Sequence, residues 1–206
     1  MRKDPQAPYE RSRPAAAPDT AAQALATAAE LLRASGPDHV TVTEIARRLG
    51  MSHSNIYRFY PSKAALLEAV MAAWLGEIET ALDGAIASVS EPADRLAAYI
   101  LALGDEMGAR AGEDPQGFAA YAALSERAVE AMGAHADACR ARIEAVLAEG
   151  VAQGVFATGD AAAAARAIDN ATLCLRHPAL VRTARAPASA EEAEDLVVLL
   201  LEGIRA

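Results

Sequence analysis

Thr41 and Glu44 stand three residues apart at the head of an apolar-periodic run that Gly50 cuts short, and Ser52 follows at once as a second capping residue. The S/T-x-x-E pattern satisfies orphan amides at a helix start from both directions, and Val40 and Ile45 occupy the two positions of a hydrophobic staple across the same start. A short helix over Val42–Leu49 is therefore predicted. Gly50 supplies the left-handed turn residue that branched side chains resist, and Ser52 caps a new helix with Ile56 and Phe59 facing inward. Upstream, "DTAAQALATAAELLRASG" sets Leu25, Ala28, Ala29 and Leu32 on one helical face, with Asp19 or Thr20 as cap and Gly36 as stop. One longer helix followed by two short ones on a tight glycine turn is a helix-turn-helix arrangement.

The rest of the chain keeps the helical period. After Pro61 and Ser62, a long amphipathic helix carries Leu67, Val70, Met71, Trp74, Leu75, Ile78, Leu82, Ile86 and Val89. The segments "SEPAD", "EDPQG", "EGVAQGVFATGD" and "RHPAL" then separate apolar-periodic runs near 92–111, 115–132, 136–153 and 160–176. A last helix, capped at Ser189, closes the chain. Alanine dominates the 53% hydrophobic content and aromatics make up only 4%, a composition that favours helix almost everywhere. The expectation is an all-α protein of about nine helices. Residues 1–18 hold four prolines and no apolar period, so they read as a disordered arm. The organisation expected is thus an arm over 1–18, a helix-turn-helix unit over 19–66 and a larger helical domain over 67–206. "DAAAAARAIDNATL" and "LVVLLLEGI" are candidates for a dimer seam, with intramolecular core as the competing reading.

The net charge of −9 hides an asymmetry. Residues 1–66 hold nine Lys/Arg against six Asp/Glu, leaving +3, and the remaining residues carry −12. A basic first third on an acidic body points to a polyanion that meets only the first third. No stretch approaches the roughly 20 apolar residues of a membrane span, and "MRKDPQAPYERSRPAAAPD" lacks the apolar run of a signal peptide. A cytoplasmic protein with no membrane partner is expected, in which Cys139 and Cys174 are free thiols. The sequence holds no Gly-rich phosphate loop, no HExxH and no paired Ser/His/Asp arrangement, so neither an enzyme nor a cofactor is expected.

Across "TVTEIARRLGMSHSNIYRFYPSKAALLEAV" the sequence resembles the DNA-binding domain of the TetR family of bacterial transcriptional regulators. The matching features are the preceding "ALATAAELLRASG", the Thr-rich start before Ile45 and Ala46, the Leu49-Gly50 turn, Tyr57, and Ser62-Lys63 opening the fourth helix. "EGVAQGVFATGDAAAAARAI" looks like the family's turn into its dimerisation helices. The resemblance implies a homodimer with two recognition helices on a double-stranded DNA operator, and a C-terminal domain where a small-molecule effector controls their separation. Repression relieved by ligand is the default it implies. One departure stands out: many members carry a His where this chain has Phe59, so that contact does not carry over, and Arg58 or Tyr60 are its substitutes.

A helix in the major groove must show short donors and acceptors to base edges and set cations or hydroxyls against phosphates. Ser52, His53, Ser54 and Asn55, followed by Tyr57 and Arg58, meet that need. His53, Ser54 and Asn55 are the base-contact candidates, and Asn55 suits a bidentate pair with adenine. Tyr57 and Lys63 match family positions on the DNA backbone, Thr43 is a phosphate donor, and Arg58 reads guanine or neutralises phosphate. Arg47 and Arg48 are either solvated or supply one contact. For the effector, Trp74, Tyr99, Met107, Phe118, Tyr121, Cys139 and Asn170 are pocket candidates, with ordinary core as the bland reading for each large side chain. His135 with Cys139, and Cys174 with His177, have spacings that suit a soft metal but fall short of a ligand set. The competing function is a helical small-molecule or metal-binding protein whose DNA-binding end no longer reads sequence.

Overall fold

The computed structural model describes residues 18–184 and 190–206, and among these it holds eleven α-helices and a single isolated bridge, Phe156 to Arg205. The arm expected over 1–18 falls outside the described residues apart from Pro18, which opens the first helix; the cap expected at Ser189 also falls outside them. Helix α1 (Pro18–Ser35) precedes the short pair α2 (Val42–Leu49) and α3 (His53–Tyr57), and the long α4 (Lys63–Ile86) follows. Then come α5 (Pro92–Glu113), α6 (Pro115–Ser125), α7 (Val129–Ala152), α8 (Ala161–Ala171), α9 (Leu173–Arg176), α10 (Pro178–Thr183) and α11 (Ala190–Ile204).

Local chemistry accounts for most boundaries. The Thr41 hydroxyl accepts the Glu44 amide at 3.2 Å, and Gly50 closes α2 at φ +63° with its N–H turned back to Ala46 and Arg47. Val40 and Ile45 are both fully buried, as a staple requires. Ser62 caps α4 by accepting the Ala65 amide at 3.0 Å, Asp114 caps α6, and Asp160 caps α8. The first helix begins at Pro18, so Asp19 and Thr20 lie inside its first turn.

One boundary moves for a reason no local pattern carries. The run predicted over 115–132 ends at Ser125, and the next helix opens at Val129 rather than 136, passing through Gly133 without a break. Ala128 stands at its N-cap with no side chain to offer. The cap comes from α4 instead: the Glu68 carboxylate accepts the amides of Ala131 at 2.9 Å and Glu130 at 3.4 Å. The expected run over 160–176 is likewise divided, because the Thr172 hydroxyl bonds back to Ile168 and Asp169 between α8 and α9. Pro178 then opens α10 as a separate turn, and these short pieces raise nine helices to eleven.

Among the described residues a single apolar cluster runs from Ala24 and Leu32 on α1 to Ala193 and Val197 on α11. Along α4 it takes in Leu66, Leu67, Val70, Met71, Trp74, Leu75, Ile78 and Leu82, and α1, α5, α6 and α7 all pack on that helix. At the far end, Gly150 lies under the Phe156 ring so closely that a Cβ would stand 2.1 Å from Cδ2. The chain there is tied by Ala157 N–H to Ile204 O at 2.8 Å and Ala206 N–H to Val155 O at 3.2 Å.

Because two orphan amides of α7 depend on one carboxylate from another helix, Glu68→Ala is expected to cost about 1 kcal/mol, the scale of a lost N-cap. Urea unfolding of Glu68→Ala and Glu68→Gln should show the larger loss for alanine; a pair indistinguishable from the parent would contradict the capping role.

Candidate nucleic-acid interface

The short helix α3 is held by one anchor. Ile56 is fully buried between α1 and α2, and the neighbouring Ser52, His53, Ser54, Asn55, Tyr57 and Arg58 are all exposed. Tyr57 keeps 47% of its surface open, an unusual outlay for a ring with apolar neighbours at hand. Ser52 takes the N-cap position with extended backbone, but its hydroxyl makes no capping bond. Its carbonyl accepts the Asn55 amide at 3.0 Å, leaving the hydroxyl outward. Phe59, expected to face inward, is only half-buried, since the helix ends at Tyr57 and the chain turns before Phe59 reaches the core. Tyr60 takes over part of that packing: its hydroxyl donates to the Ala21 carbonyl at 3.2 Å, pinning the end of the turn to α1.

Helix α2 shows Thr43 to solvent on the same side of the sequence motif as two arginines. Both arginines are engaged. Arg47 donates from Nε and Nη2 to the Glu44 carboxylate at 2.8 and 2.7 Å, and Arg48 Nε donates to it at 2.9 Å. The Glu44 carboxylate therefore does not reach back to the Thr41 amide, and the predicted capping box is formed from the Thr41 side only. The Arg47 and then the Arg48 hydrogen bonds hold the Glu44 carboxyl down at about 2. For a depressed carboxyl the ion pair is complete above its unfolded value near 4.5 and is lost as pH falls through about 2.

Lys63, at the first position of α4, is half-buried and donates to the Asp38 carbonyl at 3.0 Å. The carboxylate of the same Asp38 pairs with Arg127 at 2.6 Å, and that guanidinium holds the carboxyl below its ordinary value. Asp38 thus joins the loop before α2 to the turn between α6 and α7. Gln116 adds a second tie, donating to the Ala34 carbonyl at 3.2 Å. The partners in both ties lie more than 80 positions apart, so no periodicity could have revealed them. Glu68 left one trace: α7 begins without any Ser, Thr, Asp or Asn of its own.

The pocket candidates fall into separate places. Trp74, Phe118 and Tyr121 meet: Trp74 stacks on Tyr121 with centroids 4.7 Å apart and meets Phe118 edge-on at 6.3 Å. Tyr99 and Cys139 belong to a buried polar layer between α4, α5 and α7, where His135 Nδ1 donates to the Glu79 carboxylate at 2.9 Å and Nε2 faces the Cys139 thiol at 3.6 Å. Burial opposes charge on His135, but Cys139 and Glu79 beside it carry the imidazole above its ordinary value. Burial also pushes the Tyr99 phenol far up. Met107 is buried near α9 and α10, and Asn170 is exposed on α8, away from both groups. Cys174 is exposed, with its thiol on the Ala171 carbonyl. Among the described residues no three His, Cys, Asp or Glu side chains are grouped to hold a metal ion, and no helix is long and apolar enough to cross a membrane.

Two family models match the chain. One, described as "Bacterial regulatory proteins, tetR family", covers residues 24–70, and the other, described as "Tetracyclin repressor-like, C-terminal domain", covers residues 92–197. Two curated relatives from Mycobacterium tuberculosis strains, each an uncharacterized HTH-type transcriptional regulator, are 30% identical over 91 residues; the match spans 43% of this chain and 45% of theirs. A solved putative transcriptional regulator from Pseudomonas aeruginosa PAO1 superposes with a TM-score of 0.66 at 20% identity, over 90% of this chain and 89% of that one. The structure of RolR in complex with the ligand resorcinol gives 0.63 at 18% identity, over 90% and 87% of the two chains.

Removing the clamp on α2 tests how much cation the helix can offer. Glu44→Gln frees Arg47 and Arg48, and binding to random duplex DNA is expected to tighten, with its log–log salt slope steeper by about 1–2. An unchanged slope would mean that neither guanidinium reaches a phosphate.

Proposed function

Because the chain belongs to the TetR family of bacterial regulatory proteins, and is a transcriptional regulator with a helix-turn-helix DNA-binding domain, we propose that it is a homodimeric repressor that reads a palindromic operator and is released by a small-molecule effector. The observation that carries this reading is α3 itself: one buried Ile56 holds a helix whose other side chains are polar or aromatic and face solvent. In this reading His53, Ser54 and Asn55 address base edges, and Ser52, Thr43, Tyr57, Arg58 and Lys63 meet the backbone. Residues 19–66 act as the DNA-binding domain and 67–206 as the regulatory one.

Dimerisation is supported by α11. One face packs on α5 through Ala193 and Val197, while Val198 and Leu199 on another face are 54% and 68% exposed. Two adjacent apolar side chains left open on one helix face suit a self-complementary seam. A dimer sets two α3 helices about 34 Å apart, one turn of DNA. Ligand response is supported by the geometry of α4, which begins at Lys63 and carries Trp74 and Ile78 into the body. An effector that favours one setting of α4 over another shifts the population on DNA. The structural neighbour RolR was solved with resorcinol bound, which supports an effector in this family without naming the one used here.

Sequencing the genomic fragments retained by purified protein at moderate salt is expected to return a short palindrome near one or a few promoters; uniform retention of random DNA would overturn the sequence-specific reading. On that palindrome Asn55→Ala should lose about 1–3 kcal/mol of binding and lose little on random DNA. Leu199→Glu should shift the protein from dimer to monomer in sedimentation velocity and weaken operator binding with it. A variant that remains dimeric would remove α11 from the seam.

A further inference from the structure

A groove of about 520 Å³ opens where α1 lies across α4 and α6, well within the size range of small-molecule sites. Its floor is the aromatic group of Trp74, Tyr121 and Phe118, all more than nine-tenths buried. The space exists because α1 turns small side chains toward it, Ala22, Ala26 and Ala29, with Leu25 the largest apolar one. Its rim is charged: Glu30, Glu77, Glu113 and Asp114 stand against Arg33 and Arg110, four acids to two cations. Asp114 is partly committed, since one of its oxygens accepts the Gly117 amide.

The groove already holds a cation of the protein's own. The Arg110 guanidinium sits 5.5 Å from the Trp74 ring centroid, steadied by Glu106 at 2.8 Å and Glu77 at 3.3 Å. An aromatic face with a negative rim attracts positive charge through the ring quadrupole and through the carboxylates together. A planar ring fits the same floor by stacking.

We propose that this groove is the effector site and that its ligand is a flat aromatic organic cation, about the size of an N-alkylated bicyclic heteroarene. The inference rests on the ligand-response reading above and gives it a place and a chemistry. The ligand's ring extends the Trp74 and Tyr121 stack, and its charge takes Glu77 and Glu113, displacing or pushing aside Arg110. The site lies between α1, which supports α2 and α3, and the α4 and α6 pair. A molecule wedged there has a different affinity for each setting of α1 against α4, which is the thermodynamic requirement for moving the reading helices.

Trp74 is the single tryptophan of the chain, so fluorescence excited beyond the tyrosine absorption reports this site alone. The probes are 1-methylquinolinium, its neutral isostere 1-methylnaphthalene, and naphthalene-1-sulfonate. Saturable quenching by the cation is expected at about tenfold lower concentration than by the neutral isostere, with none by the sulfonate. Glu77→Gln with Glu113→Gln should weaken the cation by about five- to tenfold, and Arg110→Gln should tighten it, each leaving the neutral probe within about twofold. Saturating cation should also change operator affinity in fluorescence anisotropy. Linear, unsaturable quenching, equal affinity for cation and isostere, or binding with no change in operator affinity would each overturn the proposal. Operator binding that still depends on Asn55 while the cation fails to bind would sink this inference and leave the regulator reading standing.

Discussion

The apolar stripe on α4 from Leu66 to Leu82 lies against α1 on one side and α5, α6 and α7 on others. Over those residues the helix rises about 24 Å, and no gap divides the core along it. The consequence is mechanical. A displacement at Trp74 cannot be absorbed locally, because close-packed interiors respond by shifting whole elements rather than by compressing. Its first turn carries Lys63, and its fourth turn carries the ring that floors the groove. Lys63 and Trp74 therefore sit on one rigid segment of the same helix.

Polar ties set the angle at which α1–α3 meet the rest. Asp38 to Arg127 and Gln116 to Ala34 join α1 and the loop before α2 to α6 and the turn after it, and a third tie, Glu68 of α4 to the start of α7, fixes the far side of that same turn. The first is exposed and of small worth by itself; the third satisfies amides that would otherwise stand bare. Together they define one docking geometry without locking it strongly, as a switch between two settings requires. Deeper in the body, Arg142 bridges Asp83 and Glu79 while Glu79 holds His135, so α4 and α7 are joined through charge as well as through apolar contact.

Much of this was legible in the chain. Thr41, Gly50 and Ser62 act within three or four residues of themselves, so their caps and turn could be read directly, and Ile56 followed from the period of the apolar residues around it. What failed to show was always a partner supplied from afar. Glu68 starts α7 seven residues earlier than its own punctuation implies, and Glu44 turns from the Thr41 amide to two arginines because three bonds from cationic donors outweigh one from a neutral donor. The pocket residues were picked for size, which identifies core but not which core. Trp74, Phe118 and Tyr121 converge, whereas Met107, Tyr99 and Asn170 are distributed by the crossing angles of helices that one-dimensional patterns do not encode.

Lys63 carries a further consequence for the phosphate role proposed here. A free lysine loses up to about 2 kcal/mol of rotamer entropy when it is fixed. Here the Asp38 carbonyl already holds its ammonium at 3.0 Å, in a setting open to water. Trading that carbonyl for a phosphate exchanges one partner for a better one and returns the carbonyl to solvent at little cost. Part of the side chain's ordering has thus been completed during folding, before any duplex arrives.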